Sequence, residues 1–185
     1  MSPELRQAQQ RVVQHFRSLG ARIEQPSFPL LSQSYNIWSS MLSSAGGPSF
    51  SELMGDGGRF RPLRSLARWG LGGGPHTLPA IVLGALEFTA DFPRGRSARW
   101  VQAGAELRAQ LDDALGDDGI LLFPSYPRTA PRHHAPLLRP FSWVYTAILN
   151  VMQLPSTQIP LGLSPSGLPL GVQAAAGWGQ DHLGL

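Results

Sequence analysis

Gly116-Asp117-Asp118-Gly119-Ile120-Leu121-Leu122-Phe123-Pro124-Ser125 sets a tight acidic turn directly before a continuous apolar run that a proline closes. Such a run lacks the alternation of a half-solvated strand, so Ile120–Phe123 reads as a strand buried on both faces. Before the turn, Ser97–Gly116 is the clearest helix of the chain. Trp100, Gly104, Leu107, Leu111 and Leu115 form its apolar stripe, and Arg108 is spaced to pair with Asp112 one turn on. Beyond the run, Pro124, Pro127, Pro131, Pro136 and Pro140 mark residues 124–140 as loop. Phe141–Met152 then reads as an apolar helix. Thr157–Leu161 and Gly171–Ala176 read as strands parted by the Pro165-Ser166-Gly167 turn. Helices interleaved with strands make the fold class α/β.

The upstream half is mainly helical. Ser2-Pro3-Glu4 predicts a helix start, with a capping hydroxyl, proline at the first position and an acid in the first turn. Leu5, Val12, Val13, Phe16 and Leu19 follow at helical spacing, and Gly20 closes the helix. Ala21–Gln25 is expected as a short strand with Ile23 inward. Ser32–Gly46 is expected as a serine-rich helix with Tyr35, Trp38, Met41 and Leu42 on one face. A short helix around Phe50, Leu53 and Met54 precedes a basic amphipathic helix, Arg59–Gly70, and an apolar one, Thr77–Ala90. Asp181-His182 reads as the start of a further helix. Both ends look cut, so the chain is expected to be a segment of a larger domain.

Composition removes several function classes. Of 185 residues, 42% are hydrophobic and 15% charged, which excludes a charge-driven disordered chain. The absence of Cys excludes a disulfide framework, a thiolate zinc site and a cysteine nucleophile. All 15 basic residues are Arg. The missing Lys excludes a lysine base, a Schiff base and a P-loop lysine. The arginines are spread from Arg6 to Arg139 without a run, and the net charge is only +3, so no nucleic-acid partner is expected. Residues 1–20 are polar and amphipathic, without the apolar core of a secretory signal. Trp69–Leu86 is uncharged but broken by Gly72, Gly73, Gly74, Pro75 and Pro79, a poor fit to the roughly 20 apolar residues of a spanning helix.

No metal or cofactor site is read. His133 and His134 are adjacent on a loop and their side chains point apart, so a loop-surface role is expected of them. Asp112-Asp113 and Asp117-Asp118 read as solvated charges, not as a carboxylate pair for acid–base work. Gly162, Gly167 and Gly171 lack phosphate-loop spacing and serve turns between strands.

Three linked motifs in order carry a resemblance. Pro124, Pro127, Ala130 and Pro131 form the first; Asn150, Pro155, Pro160 and Gly162 the second; Gly167, Leu168, Pro169, Gly171 and Gln173 the third. Together they resemble the C-terminal part of an amidase-signature hydrolase, and within that family the fatty-acid amide hydrolases. The resemblance implies an α/β/α sandwich around a mixed sheet, incomplete in this chain. Residues 1–116 would be its mainly helical part, with a membrane-cap hairpin at 59–90, and residues 117–185 its strands and loops.

The family's chemistry uses a Ser-Ser-Lys triad in a Gly-Ser-rich signature upstream of this region. With no Lys present, no catalytic residue carries over, and the isolated chain is expected to be inactive. Ser43-Ser44-Ala45-Gly46-Gly47 echoes the signature but lacks its preceding glycines, and reads as a serine-rich helix end.

The resemblance also implies a lipid amide substrate, no cofactor, and an intracellular, membrane-associated enzyme. Phe141, Tyr145, Ile148, Leu149 and Met152 lie near one side of their helix. Core packing is the plain reading, and the resemblance adds an acyl-channel wall. Trp69, Leu71, Leu78, Ile81, Val82 and Leu86, between basic shoulders, are the candidate membrane contact, with burial as a plain hairpin the alternative. The alternative function is a truncated, non-enzymatic lipid- or membrane-binding module.

Overall fold

The computed structural model of the protein describes residues 1–46, 50–55, 60–89, 94–132, 135–138 and 141–184, and their side chains except at 86–89, 94–96 and 137–138. In chain order the helices are α1 (Pro3–Ser18), α2 (Ser34–Ser44), α3 (Phe50–Met54), α4 (Pro62–Gly70), α5 (Leu78–Thr89), α6 (Arg94–Leu115) and α7 (Val144–Val151). The strands are β1 (Ile120–Phe123), β2 (Ser156–Leu163) and β3 (Pro169–Ala176). The chain forms two compact units, Met1–Met41 with Trp100–Leu185, and Leu42–Arg99.

In the first unit β3 lies between β1 and β2 and runs antiparallel to both. The β2–β3 hairpin is tight: Ser164 N–H donates to Leu168 O at 2.8 Å and Gly167 N–H to Ser164 O at 2.9 Å. So short a link allows only antiparallel pairing. The parallel pairs of a mixed sheet therefore do not occur among the described residues.

Residues an odd number apart on a strand point to opposite faces. Leu170 packs with Leu5 and Ala8 of α1. Ala175, with Leu121 and Phe123, meets Leu107, Leu111 and Leu115 of α6 and Ile148 and Leu149 of α7. Helices thus cover both faces of the sheet, an α/β/α layering. Gln9 on α1 also donates from Nε2 to Leu122 O at 3.0 Å, tying the helix to β1.

The apolar stripe of α6 behaves as its spacing predicts, and Arg108 Nε sits 3.7 Å from Asp112 Oδ2. Gly104 lets α2 approach: a Cβ there would overlap the Met41 sulfur and come within 3.0 Å of Ile37 Cγ2. Three helices end in the same motif. In α1, Ala21 N–H reaches Phe16 O and Gly20 N–H reaches Arg17 O; in α4, Gly73 reaches Arg68 and Gly72 reaches Trp69. In α7, Leu154 N–H reaches Leu149 O at 3.2 Å and Gln153 N–H reaches Asn150 O at 3.0 Å. These are Schellman caps, whose turning residue has positive φ. That residue is Gly20 (φ 90°) and Gly72 (φ 76°) in the first two, but Gln153 (φ 55°) in α7.

Several expectations are corrected. Ser2 does not cap α1 through its side chain; its backbone N–H donates to Pro127 O at 2.7 Å and its hydroxyl is buried without a partner. Ala21–Gln25 forms no strand. In α2 the buried residues are Ile37 and Ser40, while Tyr35 and Leu42 are exposed. Among the described residues β1 is an edge strand and only half-buried; burial is concentrated in the central β3, from Val172 to Ala176. α7 begins at Val144, three residues later than the apolar run from Phe141 suggested. The segment after Asp181 is a single 3-10 turn, Asp181–Gly184.

In the second unit, α3, α4 and α5 surround Phe60 and Ile81, both buried. Gly84 on α5 admits the Phe60 ring: a Cβ there would lie 2.7 Å from Phe60 Cε1. The ring also meets His76 edge-on, with centroids 5.9 Å apart.

Candidate functional site

Pro124 ends β1, because it has no N–H for the ladder. The chain then turns through Ser125–Arg128 toward the start of α1, where the Ser2–Pro127 bond holds it. Gln158 of β2 stands opposite Gln173 of β3. Its side-chain amide lies over Gly171, where a Cβ would collide with it. Ser125 Oγ donates to Gln158 Oε1 at 2.6 Å. These pieces enclose a cleft of about 430 Å³. Leu5, Ser125, Tyr126, Arg128, Gln158, Pro160, Pro169, Leu170 and Gly171 line it. Sequence reading missed this cleft. Its available signal was that all three motifs contribute to it, through the loop after Pro124, Pro160 and the Pro169–Gly171 stretch.

The candidate channel-wall residues divide. Ile148 and Met152 are fully buried, Leu149 nearly so, and all three belong to the core with α6. Tyr145 is half-buried, its ring 5.8 Å from that of Phe123. Phe141 is 58% exposed and precedes α7. It joins an aromatic group in which Tyr35–Phe141 centroids are 4.9 Å apart and Trp38–Trp143 centroids 4.6 Å, both edge-to-face. The structure therefore brings Phe141 and Tyr145 to surfaces and sets Ile148, Leu149 and Met152 inside this chain's own core.

The candidate membrane residues divide likewise. Trp69 and Val82 are exposed, Leu71 is 88% exposed and Leu78 is half-buried. Ile81 is buried within its unit and is withdrawn from any such surface. Leu86 has its side chain outside the described residues. Leu63 and Leu66 of α4 are exposed as well, beside the exposed Arg61, Arg64 and Arg68. Among the described residues no helix is long and apolar enough to cross a membrane.

Ser43 lies on the last turn of α2 and is exposed, on a helix and not on a nucleophile turn. His133 and His134 lie outside the described residues. Among the described residues no cluster of His, Asp and Glu could hold a metal ion.

Comparison with known proteins places these features in one family. The sequence model described as Amidase matches residues 1–185. The chain is 39% identical over 189 residues to fatty-acid amide hydrolase 2 of Homo sapiens, covering 98% of this chain and 36% of that protein. It is 42% identical to fatty-acid amide hydrolase 2-A of Danio rerio, again covering 36% of it. A crystal structure of an amidase superposes with a TM-score of 0.62 at 19% identity, over 99% of this chain and 40% of that one. A solved glutamyl-tRNA(Gln) amidotransferase chain from Thermotoga maritima gives 0.63 at 18% identity, over 37% of its length. The chain belongs to the amidase family, with the α/β fold of amidase-signature enzymes. It spans little more than a third of the length of the relatives it matches.

Proposed function

We propose that these residues form the C-terminal part of a serine amidase that hydrolyses lipid amides to fatty acid and amine. The observation that supports this most is the 39% and 42% identity to fatty-acid amide hydrolases along essentially the whole chain. In that reading the region supplies sheet strands, packing for the catalytic part and one wall of the acyl channel. Phe141 and Tyr145, the two channel candidates that reach a surface, are its contacts with substrate. The nucleophile, bridging serine and lysine belong to other residues, since this sequence has no Lys. Hydrolysis would proceed by serine attack, an acyl-enzyme and attack by water.

The test is oleamide turnover and fluorophosphonate labelling, on the 185-residue chain and on a longer polypeptide that joins it to a signature-bearing amidase segment. Only the longer polypeptide should turn over and label. Turnover by the 185 residues alone, above background, would refute the division of labour.

A second reading is favoured by the exposed Leu63, Leu66, Trp69 and Leu71 beside Arg61, Arg64 and Arg68. Such a surface suits the plane of an anionic membrane. It serves equally as the cap of a membrane-associated amidase and as a lipid-binding module without enzymatic activity. Vesicle binding by a chain that never regains hydrolysis in the longer polypeptide would select the module.

A further inference from the structure

We propose that the open edge of β2 pairs with the same edge of a second copy of this chain, antiparallel about a two-fold axis at Gln158, so that the two sheets become one. The register decides which backbone groups are free to do so. Ala176 N–H donates to Pro155 O at 3.0 Å. Hydrogen-bonded pairs alternate along an antiparallel ladder, so Thr157–Ala174 and Ile159–Val172 are bonded pairs as well. Ser156, Gln158 and Pro160 therefore turn their backbone groups away from β3. All three residues are exposed, and among the described residues nothing bonds those outward groups.

The edge of β1 differs. By the same alternation Leu122 faces outward there, and its carbonyl is taken by Gln9 Nε2 at 3.0 Å. Proteins commonly guard open edges with charges, prolines, bulges or a cover. From Ser156 to Leu163, β2 carries no charged side chain. Pro160 and the register shift between Pro160 and Leu163 close only its far end, and Ser156–Pro160 stays open. The Gln158 side chain is drawn inward, over Gly171 and onto the Ser125 hydroxyl, and so leaves the outer edge clear.

The open stretch is complementary to itself. With the two-fold at Gln158, its N–H meets Gln158 O of the second copy, in both directions. Ser156 N–H meets Pro160 O, again in both directions. Proline has no N–H, and that gap falls opposite Ser156 O, which stays in water. Every outward N–H of the stretch thus finds an acceptor. Thr157 comes to lie opposite Ile159 of the second copy, a β-branched pair of the kind that suits a sheet. An isologous contact of this sort uses both open edges and stops at the dimer. The inference goes beyond the hydrolase reading and does not rest on it.

Sedimentation equilibrium of the 185-residue chain tests it. A reversible monomer–dimer equilibrium is expected. Gln158→Lys and Gln158→Glu each set like charges directly opposite one another across the axis, and each should weaken association about fivefold or more. An equimolar mixture of the two should restore it, which no unfolded variant would do. Far-ultraviolet circular dichroism checks each variant alone. In the unaltered chain, hydrogen exchange at Gln158 N–H should slow as concentration rises, while exchange at Leu122 N–H should not. Monomer at the highest soluble concentration, a dimer indifferent to either charge, a mixture no stronger than its components, or concentration-independent exchange at Gln158 would each overturn the proposal. So would slowed exchange at Gln158 only in the longer polypeptide, which would give the edge to a strand of the signature-bearing segment.

Discussion

Gln153 occupies the turning position of the α7 Schellman cap, where α1 and α4 have glycine, and its φ of 55° lies in the left-handed region. For a residue with a Cβ this conformation costs about 1–2 kcal/mol. Glycine avoids that cost but loses about 0.5–1 kcal/mol of extra backbone entropy. The Gln153 side chain returns something, since its Oε1 accepts from Arg108 Nη1 at 2.6 Å. As the pair is exposed, its contribution is at most about 1 kcal/mol.

Replacing Gln153 by Ala deletes the hydrogen bond and keeps the strain, so stability should fall by about 0.5–1 kcal/mol. Gly deletes the same bond and relieves the strain, and should come out near wild type, about 1 kcal/mol above Ala. In urea, with a slope of about 1–3 kcal/mol/M, the Gly and Ala midpoints should differ by roughly 0.5 M. The sign is diagnostic. Were α7 to continue as ordinary helix through residue 153, Ala would instead be the more stable by about 1 kcal/mol. Equal midpoints, or Ala above Gly, would refute the cap. Arg108→Ala supplies the control: in that background Gln153→Ala should cost little.

Three further outcomes are expected. Gly104→Ala should destabilise by about 1 kcal/mol despite its helix-propensity gain, because the added methyl meets Met41 and Ile37, and Met41→Ala should recover part of the loss in a denaturation series. Ile148→Ala should cost about 2–5 kcal/mol in the same assay, whereas Phe141→Ala should cost under about 1 kcal/mol. Similar losses at the two positions would contradict the assignment of Ile148 to the core and Phe141 to the surface. In vesicle flotation, changing Trp69, Leu71 and Val82 together to Ser should abolish binding to anionic lipid. Arg64→Gln with Arg68→Gln should only weaken it, by at most about 1 kcal/mol for each charge, and flatten its salt dependence. Unchanged binding by both variants would remove the membrane reading.

Periodicity and punctuation alone made much of this protein legible. The stripe from Gly104 to Leu115, the strand Ile120–Phe123 and the hairpin around Gly167 are local patterns, written in neighbouring residues by the helical and strand periods and by turn chemistry. Three proline- and glycine-bearing motifs, in order, were enough to place the chain in its family, because a fold reuses such punctuation wherever its backbone bends. What failed in that reading depended on partners distant in sequence. The solvation of β1 depends on β3 lying on only one of its sides. Ile37 is buried because α6 brings Gly104 against it. Gln153 can be left-handed because Leu154 and Leu149 are anchored in the core and hold the cap closed. The cleft follows the same rule. Leu5, Arg128, Gln158 and Gly171 come together only when α1, the loop after β1 and the β2–β3 hairpin dock, and the Ser125–Gln158 bond there is a contact between residues on separate elements that no local pattern encodes.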